Sequence, residues 1–349
     1  ARHLQIGSRS AAAVIHGPEP VTPVTLLPSD DTTQLRRNPG TLPSRVADNL
    51  FWLGRYLERG EALLGLVRSL LGHSISADTG AALSVETVRQ LVDLVGQAAA
   101  APWPPSLRRA DLSHFGRAAG EATDGWSSVR ASNRQARGIG AVSRDRLSAD
   151  MIKLLDAPFP LKGGALDRAG SLQRRYYALA GLGAEHLGRT DAWRFHDLGR
   201  RIERPLAAIR ATRAFGHVQA TSDDLSTLLD LADSQISYRQ RYLTGIARVP
   251  VLDLVALDPG NPRGIAYQVA AICDHLAKLP LLSDDGPPEP QQAQAAELTA
   301  IVAITQAAAL DDAKLIEIGN RLGSLSDAIA RRYFLQGSEP LRAAGLVLA

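Results

Sequence analysis

One heptapeptide is written twice in this chain. Leu53-Gly54-Arg55-Tyr56-Leu57-Glu58-Arg59 returns as Leu198-Gly199-Arg200-Arg201-Ile202-Glu203-Arg204, with five of seven positions identical and 145 residues between the two starts. Both copies lie in strongly helical patterns and both follow aromatic residues, Phe51 and Trp52 in one case, Trp193 and Phe195 in the other. Long charged side chains enter a helix core only when they are paired. A Gly-Arg…Glu-Arg unit used twice therefore demands a helical fold that builds the same charged constellation twice, as an internal ionic lock or as a binding site. The spacing suggests two helical halves, and because they otherwise diverge the repeat points to an ancient duplication at most.

The rest of the 349-residue chain agrees with helix. Apolar residues make up 45%, but only 5% are aromatic, and the balance is dominated by Ala and Leu, which favour helix and carry little strand propensity. Basic and acidic residues number 39 and 36, a net charge of +3 with a pI near 9.2, and they alternate along the helices. A nucleic-acid footprint needs a clustered basic face, so none is indicated. The single Cys273 rules out an intramolecular disulfide and a multi-cysteine zinc site, and points to a reducing, cytoplasmic setting. No apolar run approaches the ~18 residues needed to span a membrane. The expected fold is all-α, a bundle of about ten helices preceded by a short N-terminal β-hairpin.

That hairpin is expected from Val14-Ile15-His16 and the run Val21 to Leu27 on either side of Gly17-Pro18-Glu19-Pro20, followed by a polar linker. A lone hairpin is not stable in water. With a start that has neither an initiator Met nor a signal-peptide core, it reads as the end of something longer. From Pro43 onward the pattern is helical. Ser44 is a candidate N-cap for a helix reaching about Gly72, with Val46, Leu53, Leu57, Leu64, Val67 and Leu71 on one face, Asn49 within that stripe and Glu58 near the opposite side. Further helices are expected at about 84–100, 106–121, 125–155, 166–187, 190–215, 222–243, 262–279, 291–310 and 311–335. Thr190-Asp191 offers a cap for the second motif helix, and Pro205 predicts a kink or break within it.

Within each motif Arg and Glu are three residues apart and can meet on one helix flank, while Gly54 and Gly199 permit close approach of a helix or ligand. The bland reading is a pair of inter-helix salt-bridge networks that set helix register; the functional one is a pocket where guanidinium groups hold a carboxylate or phosphate. His196-Asp197 and Asp274-His275 are not dyads, since neighbours on a helix point apart. No zinc, calcium or phosphate-loop motif appears, and no Gly-x-Ser-x-Gly elbow. Three further stretches are dense in binding groups: Arg134, Arg137, Arg144 and Arg146 on one expected helix; Ser237 to Tyr242, with Tyr238 and Arg241; and Asn261-Pro262-Arg263, where a helix N-terminus could hold an anion. Solvated or inter-helix arginine ladders are the plain alternative for each.

Taken together, Pro43 through Arg59, Ser143-Arg144-Asp145-Arg146-Leu147-Ser148, Glu203-Arg204, Ser237 to Leu243, Leu257 through Arg263 and Leu325 through Phe334 resemble the alpha-E family, a bacterial helical domain with Glu-Arg signatures. The resemblance covers 43–334 and divides the chain into 1–42, a tail plus linker; 43–334, the helical domain; and 335–349, an extension with no assigned role. Residues 5–27 resemble the C-terminal tail of circularly permuted ATP-grasp proteins, to which such domains are fused or genomically adjacent. Ala11-Ala12-Ala13 replaces the polar residues usual in that tail, which puts nucleotide binding there in doubt. The resemblance implies a partner ligase that makes amide bonds through acyl phosphates, in systems for peptide synthesis or modification. ATP and Mg would belong to that partner, and the chain itself would carry no cofactor and no metal.

The favoured expectation is a helical accessory domain of an ATP-grasp-type peptide or amide ligase, binding a peptide or amino-acid substrate or positioning the ligase. The alternatives are a separate enzyme using Glu58 or Glu203 as acid or base, and a scaffold whose motifs are structural. Candidate ligand-binding residues are Asn49, Trp52, Arg55, Glu58, Arg59, Arg144, His196, Arg200, Glu203, Arg204, Tyr238 and Arg241.

Overall fold

The computed structural model describes residues 42–72, 83–122, 128–243, 245–282 and 286–334. The expected hairpin, the linker and the 335–349 extension lie outside the described residues. Thirteen α-helices and no strand occur among the described residues: α1 (Ser44–Leu70), α2 (Val85–Ala99), α3 (Arg109–Glu121), α4 (Val129–Val142), α5 (Ala149–Asp156), α6 (Ala165–Glu185), α7 (Asp191–Phe215), α8 (Ser222–Leu231), α9 (Gln235–Arg241), α10 (Arg248–Leu252), α11 (Ile265–Ala277), α12 (Pro290–Ile304) and α13 (Asp312–Tyr333).

The helix carrying the first motif is the hub. α1 packs along α7 and also touches α2, α3, α4, α6, α8 and α13. Its aliphatic stripe, Leu50, Leu53, Leu57, Leu64 and Val67, is buried, and so are Arg55, Glu58 and Glu61 on the other side. A helix buried all round needs partners for its charges, and the doubled motif supplies them.

Several expectations are corrected by local chemistry. Ser44 is the first residue of α1, with Pro43 in the cap position and no side-chain cap. Thr190 takes the cap position of α7 but makes no cap bond. The expected helix over 125–155 is two, because the chain turns through a 3₁₀ segment at Arg144–Arg146 and Ser148 restarts it by accepting from Met151 N–H. The expected 222–243 helix is interrupted at Asp233, whose φ of 48° is in the left-handed region. Arg248–Leu252, expected as loop because of Pro250, is helical and runs into a π-type turn at Asp253–Leu257. Pro250 is the third residue of that helix, where the missing N–H would have no helical acceptor anyway.

Pro205 neither breaks α7 nor ends it. An interior proline costs about 3 kcal/mol. Ile202, Leu206 and Ile209 flank it and are fully buried, each contributing roughly 1.5–3 kcal/mol, so tertiary packing outweighs the lost backbone bond.

Candidate functional site

The two motif copies face one another. α1 and α7 run in the same direction: Phe51 and Phe195, near their starts, both pack on Phe334, and their C-terminal halves wall the same cavity. Position n of α1 corresponds to n + 145 of α7, so the pair is related by a local two-fold. Contact is closest at the motif glycines. A Cβ on Gly54 would fall on the His196 carbonyl, and one on Gly199 on the Phe51 carbonyl. Each copy's glycine thus admits the other copy's backbone.

This approach decides how the charges pair. On the sequence alone, Arg55 can meet Glu58 on its own helix or take part in an inter-helix network; in the structure the pairing crosses to the other copy. Arg55 Nε donates to Glu203 Oε2 at 2.7 Å and Arg59 Nε to Glu203 Oε1 at 2.8 Å. Reciprocally, Arg200 Nε donates to Glu58 Oε1 at 2.9 Å, and Arg204 donates to both Glu58 oxygens at 2.7 and 2.8 Å. Burial pushes both carboxyls up, but the Arg204 and Arg200 charges hold Glu58 at about 2, and those of Arg59 and Arg55 hold Glu203 at about 2. Both are ionised throughout the neutral range. Trp52 covers this lattice from outside, its ring 4.9 Å from the Arg55 guanidinium and 5.6 Å from that of Arg59.

A second polar cluster adjoins the Arg200 side. Asp197 binds Arg201 Nε at 2.9 Å and His275 Nε2 at 2.8 Å, while Arg201 also reaches Gln268. Burial opposes ionisation of Asp197, yet the His275 hydrogen bond and the Arg201 and Arg200 charges hold its carboxyl far below the usual range. His196 points elsewhere. It is buried against Gly183, and burial together with the Arg200 charge pushes its pKa down to about 4, leaving a neutral ring at pH 7.

Beyond Glu58 and Glu203 the two helices part around a cavity of about 530 Å³. Its space comes from small residues on their facing flanks, Ala62 and Gly65 on α1 and Ala207, Ala208 and Ala211 on α7. Gln97 of α2, Gln173 and Tyr177 of α6, Asp230, Asp233 and Gln235 around the α8–α9 turn, Val255 and Arg263 complete the wall. Arg263 bridges Glu61 at 2.5 Å and Asp233 at 2.9 Å, so the left-handed Asp233 is anchored at the cavity edge. The Glu61 carboxyl is pushed up by burial and by the neighbouring Glu58 charge.

Of the residues singled out from sequence, Arg55, Glu58, Arg59, Arg200, Glu203 and Arg204 come together in the lattice, and Glu58, Arg59, Glu203 and Arg204 also line the cavity. Asn49 is half-buried and away from the cavity wall. Arg144 pairs with Asp156 at 2.9 Å on an exposed face together with Arg137. Tyr238 is buried and its hydroxyl holds the next loop, accepting from Ala247 N–H and donating to the Gly245 carbonyl. Arg241 pairs with Asp258 at 2.6 Å. The Asn261-Pro262-Arg263 stretch precedes α11 rather than opening it: Asn261 is tied to Ser234 and the Leu254 carbonyl, and Arg263 reaches Glu61. Arg68 and Arg210, which also line the cavity, carry no sequence motif. Their signal is visible only on aligning the copies, where Gly65 faces Arg210.

These features define a helical bundle whose two central helices are cross-locked by a duplicated Glu-Arg motif. The chain belongs to the Alpha-E family, described as a predicted alpha-helical domain with a conserved ER motif, whose model matches residues 42–334. Among curated proteins it is similar to uncharacterized proteins of Mycobacterium tuberculosis and Mycobacterium bovis, 26% identical over 279 residues. The match takes in 70% of this chain and 31% of each relative, so the chain spans under a third of their length. No solved structure matches it significantly. Among the described residues, no helix is long and apolar enough to cross a membrane, and no His, Cys, Asp and Glu cluster is fit to hold a metal ion.

Proposed function

We propose that this chain is the helical accessory domain of an ATP-grasp-type peptide or amide ligase system, with its cavity as the chamber for an acidic substrate group. The observation that carries this reading is the cavity of about 530 Å³ walled by the motif helices and bordered by guanidinium groups. Amide ligation through an acyl phosphate starts from a carboxylate, and arginine is the side chain best shaped to hold one. The ATP-grasp partner, fused or separate, would supply ATP, Mg and the chemical step in a cytoplasmic setting. Glu58 and Glu203 are poor candidates for acid–base work, because each is held ionised at about 2 by two arginines. The test is ATP-dependent amide formation by the intact ligase with and without residues 43–349. Loss of turnover, or of substrate affinity, supports the reading; unchanged turnover contradicts it.

One observation favours a purely structural role for the motif itself. Both motif glutamates and the four arginines shared by the two copies pair across the α1–α7 crossing, which is what a register lock requires. The lock and the chamber are compatible: the first holds the walls of the second. Glu58→Gln and Glu203→Gln separate them, since a scaffold loses folding whereas a site loses only ligand or ligase stimulation.

A further inference from the structure

We infer that Arg210, assisted by Arg68, is a receptor for a single carboxylate, the chain end of an amino acid or short peptide lodged in the cavity. This deepens the substrate-chamber reading and rests on it. The two motif helices match position for position through the lattice and then depart from each other at the cavity. Where α1 has Glu61 and Gly65, the corresponding positions of α7 are Leu206 and Arg210. The exchange leaves the Glu203 side one carboxylate short. Glu58 has Arg200, Arg204 and Arg263 around it with Glu61 beside them, whereas Glu203 has Arg55, Arg59 and Arg210 with no second acid among the described residues.

Arg210 feels the Glu203 charge but makes no hydrogen bond to it, and it shares that carboxylate with Arg55 and Arg59, which do. Its Nη2 is buried and makes no hydrogen bond, and neither does Nε of Arg68, whose Nη1 donates to the neutral Gln173. The matching arginine of α7 shows the contrast: Arg213, equivalent to Arg68, is paired with Asp312 at 2.5 Å. A buried cation that shares one carboxylate with two others and keeps an unmet donor is costly, and the economical resolution is an anion supplied from outside. The volume falls within the roughly 300–1,000 Å³ typical of small-ligand pockets. Ala62, Leu66, Ala207, Ala211 and Leu231 offer an apolar wall for aliphatic side chains. Asp230, Asp233 and Glu61 put acid on the same wall, and although Arg263 pairs with the last two, they oppose a dianion more than a ligand that also carries an amine. A zwitterion of one carboxylate and one ammonium fits that charge pattern better than phosphate does.

The experiment is calorimetric titration and thermal unfolding of the full chain with alanyl-alanine, alanyl-alanine amide and inorganic phosphate. The free acid is expected to bind and raise the unfolding midpoint, with the amide and phosphate giving no comparable shift. Arg210→Met should weaken binding of the acid by at least about tenfold, the loss of one charge-assisted hydrogen bond, and should raise the midpoint of the unligated protein. Arg68→Gln should also weaken it, and serves if Arg210→Met does not fold. Equal binding of acid and amide, binding of phosphate alone, wild-type affinity in the folded variants, or a lower unligated midpoint in Arg210→Met overturns the proposal. If the peptide does not bind yet turnover still requires residues 43–349, this site fails and the accessory reading stands. Binding without any effect of that deletion gives the converse.

Discussion

The two motif helices use the same seven-residue instruction for different ends. Around Glu58 charge is balanced: two motif arginines bind it, and Arg263, the third cation nearby, is taken up by Glu61 and Asp233. Around Glu203 two arginines also bind, but the third, Arg210, is left over beside the cavity. The shared residues form the reciprocal lock, and the unshared Glu61, Gly65 and Arg210 line the cavity. A duplicated unit thus becomes specialised where its symmetry is broken.

The largest expected effect comes from the imbalance itself. Glu203→Gln leaves three buried cations with no acid and should cost about 4 kcal/mol of unfolding free energy, at the strong end of broken buried pairs. Glu58→Gln should cost about 3 kcal/mol, because Glu61 still faces Arg204 and Arg263. Urea unfolding of the two variants checks the order; equal losses would mean that the two sides are electrostatically alike.

The glycines sharpen the comparison from the steric side. Gly54→Ala and Gly199→Ala each drive a methyl into the other helix's carbonyl and should destabilise by about 3 kcal/mol. Gly65→Ala lies about three turns beyond Gly54 on α1, where the nearest atom to a new Cβ is Leu231 Cδ2 at 3.8 Å, and should gain up to about 1 kcal/mol from helix propensity. Thermal midpoints of the three variants test whether the contact is confined to the crossing.

His196 occupies the position that Phe51 has in the first copy, and it gives the crossing a pH dependence. Its folded pKa of about 4 lies below the ordinary value of 6.5, so the unfolded chain takes up the proton first. Its contribution is therefore complete above about pH 6.5 and is eroded as pH falls towards 4, by about 2 kcal/mol between pH 7 and 5. His196→Phe should flatten that interval in a comparison of unfolding free energies at the two pH values. The Glu58 and Glu203 contributions, with depressed pKa values, are retained there and lost only as pH drops from about 4.5 to 2.

The all-helical class, the positions of the long helices and the importance of the doubled motif were legible in the sequence, because 3.6-residue periodicity and the repeat are local properties. The sequence marks Gly54 and Gly199 as points of close approach and allows an inter-helix ionic lock. That the two copies approach each other is a tertiary fact, and it selects the pairing of Arg55 with Glu203 and Arg200 with Glu58. Pro205 does not break α7, because the local penalty is outweighed by the burial of Ile202, Leu206 and Ile209. The breaks at Ser143 and Asp233 depend on single-residue backbone choices that periodicity does not register. Nothing in the sequence singles out Arg68 and Arg210, because an arginine at a helical position looks the same whether solvent or a cavity faces it.

The central claim is that the motif charges are coupled between the two copies and not within either. A double-mutant cycle measures this most directly, using unfolding free energies of Arg55→Met, Glu203→Gln, Glu58→Gln and the two double variants that contain Arg55→Met. The account predicts a coupling of about 2 kcal/mol between Arg55 and Glu203, and one below about 0.5 kcal/mol between Arg55 and Glu58. A larger coupling within the helix than across it would contradict the account.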